Sequence, residues 1–194
     1  MENSLSPQPK INHIAFLVTS AKRSAQYFEK LGLFANPLEI YDDEGTREIY
    51  IGDDATLVRI LLLEAFRDGP YKNALKKRGT GLHHIAIETE QMANYIEALE
   101  LAGWSIHPKY KDSYIRDNLA YLYKKGVPLL IELYPQRNKH IQQTLVKELS
   151  VPVLSDLSPL IAALNIETVI CKDVNEISLV VNNIRIFQSE FVNL

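Results

Sequence analysis

One interval governs how this chain can fold, and it is the one that separates two histidines. His84 follows His13 by 71 positions. The same interval separates Gly103 from Gly32, Pro108 from Pro37, Tyr121 from Tyr50, Ile131 from Ile60 and Leu133 from Leu62. His13-Ile14-Ala15 and His84-Ile85-Ala86 agree letter for letter. A constant shift without gaps, aligning helix stops with strand residues, marks a duplication, and a duplication decides architecture before any motif does.

The repeated unit reads β-α-β-β-β. Residues 11–18 are rich in strand formers. Thr19 and Ser20 can cap a helix over residues 21–31, where Ala25, Phe28 and Leu31 recur at helical spacing before Gly32 stops it. Strands fit residues 38–41, 47–51 and 56–64. The second copy offers a strand at 82–87, a helix at 91–101 stopped by Gly103, and strands at 104–108, 119–123 and 127–134. The expected division is a flexible tail over 1–10, a first module over 11–66, a connector over 67–81 with a short helix at 70–78, and a second module over 82–136. A C-terminal extension fills 140–194, with a helix at 141–149 and strands at 167–171, 177–181 and 184–188. Asn182-Asn183 between the last two is a two-residue hairpin signal. The fold class is α+β: two modules forming an open barrel around a cleft, each helix covering one face of its small sheet, plus the extension.

Composition narrows the function classes. Apolar residues make up 46% and charged residues 23%, as in ordinary globular chains. A net charge of −3 and a pI near 6.0 leave no basic field for nucleic acid. No secretory signal opens the chain, and no apolar run approaches the roughly 18 residues of a membrane span. Cys171 is the only cysteine, so no disulfide forms within the chain. A soluble, cytoplasmic protein acting on a small molecule is expected, without nucleic-acid or membrane partners.

The duplication brings His13 opposite His84 across a pseudo-twofold axis. Glu132 stands between Ile131 and Leu133 in an apolar strand, where a carboxylate is costly to bury unless it is paired or holds a cation. Alternation also permits it to face water. Two imidazoles and one carboxylate form a three-ligand set with open positions, suited to a divalent metal that must still accept water or substrate. His83 alternates outward from His84 and reads as structural; His107 and His140 read as surface residues. The counterpart of Glu132 is Leu61, where a symmetric four-ligand site would need Glu, Gln or His. Arg59, on the same strand face as Leu61, could hold a substrate carboxylate or a ligand oxygen, or be a surface arginine.

These residues resemble the vicinal oxygen chelate superfamily, which spans glyoxalase I, bleomycin-resistance proteins, extradiol dioxygenases and methylmalonyl-CoA epimerases. The resemblance is nearest to the epimerases. It is carried by residues 11–15, Ile-Asn-His-Ile-Ala, 45–49, Gly-Thr-Arg-Glu-Ile, 77–86, Lys-Arg-Gly-Thr-Gly-Leu-His-His-Ile-Ala, and 130–133, Leu-Ile-Glu-Leu. It implies His13, His84 and Glu132 as ligands of a divalent ion (Zn, Co, Ni, Mn or Fe), with the fourth ligand position falling on Leu61. It implies Glu48 as an acid/base, working with Glu132 to move a proton next to a carbonyl, an acyl-thioester among the candidates. The glycine-rich loop of the epimerases is replaced by Asp112-Ser-Tyr-Ile-Arg-Asp-Asn118. Three functions stay open: a metal-dependent isomerase, epimerase or lyase; an Fe(II) extradiol-type dioxygenase with a 2-His-1-Glu site; and a non-catalytic binding protein. The extension could cover the barrel, extend a sheet or make a homodimer contact.

Overall fold

The computed structural model describes residues 9–136, 143–152, 169–172 and 174–194. The first module runs β1 (Lys10–Leu17), α1 (Ala21–Lys30), β2 (Glu39–Tyr41), β3 (Thr46–Ile51), β4 (Thr56–Leu57) and β5 (Arg59–Ala65). Helix α2 (Pro70–Arg78) connects it to β6 (Gly81–Thr89), α3 (Met92–Leu101), β7 (Ser105–Ile106), α4 (Lys111–Asp117), β8 (Ala120–Tyr123) and β9 (Leu130–Pro135). The extension holds β10 (Gln143–Thr144), β11 (Val146–Pro152), β12 (Val169–Lys172), β13 (Ser178–Val181) and β14 (Ile184–Phe187).

Local chemistry explains the boundaries. The Ser20 hydroxyl accepts from the Arg23 amide at the start of α1, and Gly32 takes a left-handed φ of 77° after its end. The strand expected over 56–64 breaks at Val58, whose φ of 52° turns the chain between β4 and β5. The stretch from Asp112 to Asp117, noted for its lack of glycine, lies within α4, which ends on left-handed Asn118.

Eight strands form one sheet in the order β2-β3-β5-β1-β6-β9-β8-β7. β2 and β7 are its two edges and do not meet, so the sheet is open. β1 and β6 pair antiparallel at its centre, each flanked by a parallel partner, β5 and β9. Ile14 faces Ile85 in that central ladder. These two are repeat counterparts, so the pseudo-twofold axis passes between them.

Both faces of the sheet are covered, by different things. Ile14, Ile60, Ile85 and Ile131 point to one face and pack with Phe28 of α1 and with Ile96 and Leu99 of α3. The extension docks there too. Phe191 sits 5.1 Å from the Phe16 ring and 4.9 Å from that of Phe28, and its carbonyl accepts from the Ser24 hydroxyl at 2.6 Å. On the opposite face α2 lays Tyr71 over Leu17, Leu61 and Leu63. The connector helix therefore fills one end of the concave side, and the rest holds the polar site.

One expected element is corrected. Residues 143–149 do not form a helix: Val146 to Pro152 is a strand between β12 and β13. Its ladder slips between Val146 and Glu148, and this irregularity lets Val146 and Leu149, three apart, both be buried. The bulge imitates helical spacing, and pairing on both sides overrides local preference. Residues 141–142, His140, residues 167–168 and residues 1–8 of the expected tail lie outside the described residues, while Lys10 belongs to β1. The hairpin at Asn182-Asn183 forms, with φ of 49° and 64° as a tight turn of this hand requires. Among the described residues no helix is long and apolar enough to cross a membrane.

Candidate metal centre

Strand register builds the site. One row of residues across the concave face reads Tyr121, Glu132, Ala86, His13, Arg59. The neighbouring row reads Tyr50, Leu61, Ala15, His84, Leu130. Paired residues on neighbouring strands share a face. Each member of the first row is the repeat counterpart of the residue at the same place in the second. The two rows run in opposite directions, so the histidines meet diagonally across two small alanines.

The ladder slips twice, between Ile11 and His13 and between His84 and Leu82. The extra residues are Asn12 and His83, again repeat counterparts. A bulge re-aims the side chain it adds, and here each bulged residue serves the histidine that follows. The Asn12 amide nitrogen donates to Glu88 Oε1 at 2.7 Å, which turns its oxygen to His13 Nδ1 at 2.9 Å. The proton of His13 is thereby fixed on Nδ1, and Nε2 presents a lone pair. His83 Nδ1 lies 2.9 Å from His84 Nδ1 and plays the same part in the second module. His83 is thus not outward-facing: it is buried, against the Tyr71 ring at 5.0 Å. Strict alternation fails because the bulge puts two successive side chains on one side.

Three donors converge. His13 Nε2 and His84 Nε2 are 3.2 Å apart. Glu132 Oε2 lies 3.2 Å from His84 Nε2 and 3.7 Å from His13 Nε2. Donors about 2.0–2.1 Å from one tetrahedral ion would stand about 3.3 Å from each other, so these spacings fit a divalent cation. Tyr121 donates its hydroxyl to Glu132 Oε1 at 3.1 Å and fixes the carboxylate. Burial pushes the Tyr121 hydroxyl far up, so it remains a donor.

The electrostatics favour a cation too. Burial lowers His13 to about 3, with His84 and Arg59 adding to the drop and Glu132 opposing it. His13 is therefore neutral, as a ligand must be. Burial raises the Glu132 carboxyl, but the His84 hydrogen bond, the charges of His84 and His13 and the Tyr121 bond hold it below its ordinary value. It is an anion at neutral pH. The Glu132 carboxylate lies beside neutral His13 in a pocket where it is only 12% exposed, and a divalent ion would neutralise its charge.

Glu48 lies on the same side, on β3. It is buried and accepts from Thr46 Oγ1 at 2.7 Å. Burial raises its pKa to about 7, with Glu44 and Glu132 raising it and Thr46 and His84 lowering it. Arg59 is buried rather than on the surface, stacked 4.2 Å over the Tyr50 ring and paired with Asp54 at 2.8 Å. Leu61 packs with Leu63 and Tyr71 and offers no donor. His107 stands apart, half-buried between Tyr110 and Tyr123.

Sequence reasoning did not single out Asn12, His83, Tyr50 or Tyr121 as parts of the site. The signal was present: the repeat interval pairs Tyr50 with Tyr121 and Asn12 with His83. Each polar residue directly before its histidine was the clue.

Comparison with known proteins identifies the family of this fold. No curated protein matches the chain. Among solved structures, a hypothetical protein of Bacillus halodurans C-125 is 23% identical, with a TM-score of 0.53, covering 69% of this chain and 98% of that one. Methylmalonyl-CoA epimerase from Mycobacterium tuberculosis is 21% identical, with a TM-score of 0.51, over 71% and 93% of the two chains. At these identities the likeness concerns the fold. The family model described as glyoxalase/bleomycin resistance protein/dioxygenase superfamily matches residues 12–122, more than half of the sequence. The chain belongs to that superfamily.

Proposed function

We propose that the protein is a metal-dependent isomerase or epimerase that moves a proton at the carbon next to a carbonyl. The observation that carries this reading is the pairing of two unlike carboxyl groups on one concave face. Glu132 is ionised and aimed at the two imidazoles; Glu48 is held near neutrality with a pKa of about 7. Environments that push two carboxyl groups apart in pKa separate a ligand from an acid/base. A divalent ion held by His13 Nε2, His84 Nε2 and Glu132 would supply a Lewis acid for the carbonyl oxygen.

The chain's own residues do the rest. Ionised Glu48 takes the proton from the α-carbon, and the electron pair of the broken C–H bond moves into the carbonyl group. The Glu48 carboxyl exchanges this proton with water, and a proton goes back to carbon, from Glu48 at the neighbouring carbon in an isomerisation or from water on the opposite face in an epimerisation. The Glu48 oxygen is steadied by Thr46, and a pKa near 7 suits both directions at neutral pH. With both Glu132 oxygens engaged, that residue acts as a ligand and Glu48 is the proton acceptor.

The test is exchange of α-protons for deuterium in heavy water, followed by NMR over a panel of acyl-thioesters and ketones. Wild type should exchange at least one of them. Glu48→Gln should slow that exchange about a hundredfold or more while metal content is unchanged. Unaltered exchange in Glu48→Gln would remove Glu48 as the base. Two histidines and a carboxylate are also the donor set of non-haem Fe(II) oxygenases, and Leu61 in place of a fourth donor favours that second reading. Oxygen uptake on catechols by the iron-loaded protein, without α-exchange, would establish it instead.

A further inference from the structure

The duplication leaves one hydroxyl without the partner that its counterpart has. Tyr121 stands opposite Glu132 in the β8–β9 ladder and donates to that carboxylate at 3.1 Å. Tyr50, 71 positions earlier, stands opposite Leu61 in the β3–β5 ladder, and both ladders are antiparallel. A leucine side chain accepts no hydrogen bond. Among the described residues the Tyr50 hydroxyl has no hydrogen-bond partner.

The Tyr50 ring is nonetheless fixed. It meets the His13 ring at 90° with 5.4 Å between centroids, and the Arg59 guanidinium lies 4.2 Å over its face. Arg59 is itself buried and tied to Asp54, so the phenol is clamped between an imidazole of the donor cluster and a cation. A cavity of about 480 Å³ opens at this point, with His13, Glu132, Tyr50 and Arg59 in its wall. Burial raises the Tyr50 hydroxyl well above its ordinary value, and the charges of Glu132 and Glu48 add to the rise while Arg59 opposes it. The phenol therefore keeps its proton at neutral pH. The two carboxylates that act on it most are the ligand and the base of the proposed reaction.

We propose that the Tyr50 hydroxyl is a further catalytic residue, which donates a hydrogen bond to the carbonyl oxygen of the substrate. This rests on the proton-transfer reading above and deepens it. As the electron pair of the C–H bond moves into the carbonyl group, negative charge builds on that oxygen. A donor held in place beforehand binds the developing anion more strongly than the neutral carbonyl, and so lowers the barrier. The bond strengthens but no proton leaves Tyr50. Loss of the acceptor at position 61 thus frees for the substrate a hydroxyl that the other module spends on its own carboxylate.

The experiment compares wild type, Tyr50→Phe and the counterpart variant Tyr121→Phe as full chains loaded with Zn. Metal affinity, calorimetric affinity for acetohydroxamate (a small enolate-like anion) and α-exchange over the panel above are measured on each. Tyr50→Phe deletes a hydroxyl that bonds nothing in the protein, so thermal midpoint and metal affinity should match wild type. Acetohydroxamate should bind it about tenfold or more weaker. Its exchange kcat should fall as far, with KM within about twofold of wild type, because the bond gains strength only as charge develops. Tyr121→Phe releases a Glu132 oxygen and should instead lose metal affinity about ten- to hundredfold. Unchanged acetohydroxamate affinity in Tyr50→Phe, loss of metal from it, or no acetohydroxamate binding by wild type would overturn the donor. Identical behaviour of the two variants would overturn it too. A wild type that exchanges no compound of the panel, while Tyr50→Phe still weakens acetohydroxamate, would sink the proton-transfer reading and leave Tyr50 as an oxyanion donor.

Discussion

The two rows that make the site are one sequence pattern used twice, with two differences. Tyrosine, alanine and histidine recur in both. Where the first row has Glu132 and Arg59, the second has Leu61 and Leu130. Both polar members fall in the same row, so a symmetric fold carries an asymmetric site. The histidines supply what symmetry can supply, two converging lone pairs. The carboxylate and the buried guanidinium come from the broken half. Leu61 is not an idle gap: it joins Leu63 and Tyr71 under α2, so the side that lost its donor became the floor on which the connector helix sits.

The most damaging change should be the one that erases the difference. Glu132→Leu makes the first row copy the second. Two imidazoles remain, without the anion that favours a cation. Affinity for Zn or Co should fall more than a hundredfold, beyond the ten- to hundredfold that loss of an outer hydrogen bond costs. Metal analysis and competition with a chromophoric chelator would measure it. Stoichiometric metal in the variant would mean that Glu132 is not a ligand.

A smaller effect compares the two bulges. Asn12 and His83 hold the two histidines by different chemistry at equivalent places. Asn12→Ala leaves His13 Nδ1 without its acceptor and strands buried Glu88, so metal affinity should drop about ten- to hundredfold. His83→Asn installs in the second module the device of the first, and should stay within about threefold of wild type. If His83→Asn falls as far as Asn12→Ala, the modules are not interchangeable and His83 does more than orient its neighbour.

The duplication made most of this architecture legible, because repeat arithmetic does not depend on local propensity. The same arithmetic set His13 opposite His84, while Glu132 was legible as a carboxylate in an apolar strand and through the family resemblance. What it could not show came from irregular backbone. The bulge at His83 defeats alternation, since one extra residue turns inward a side chain that the pattern sends outward. The bulge near Lys147 turns a strand into an apparent helix for the same reason. Arg59 as a buried cation was also hidden. Only the folded packing shows that its guanidinium lies against Tyr50 and not in water.

Glu48 offers the finest contrast between the modules, because its repeat counterpart is Leu119. An ionised carboxyl is a burden in that position. Folded Glu48 loses its proton near pH 7, against an ordinary value of 4.5. Between those values the folded state keeps a proton that the unfolded chain has released. Stability therefore falls as pH rises through this window and stays lower above it. A shift of this size sets a ceiling of about 3 kcal/mol. Relaxation around the charge lowers the expected effect to about 1 kcal/mol. Glu48→Gln keeps an acceptor for Thr46 and removes the titration. The metal-free variant should match wild type near pH 4 and exceed it by about that amount at pH 8, read by urea unfolding. The His13 imidazole, held neutral, weakens both proteins alike as pH drops below 6.5, so the difference between them isolates Glu48. A gap that does not change with pH would mean that Glu48 ionises in the folded protein as freely as in water, and the base assigned to the reaction would lose its physical ground.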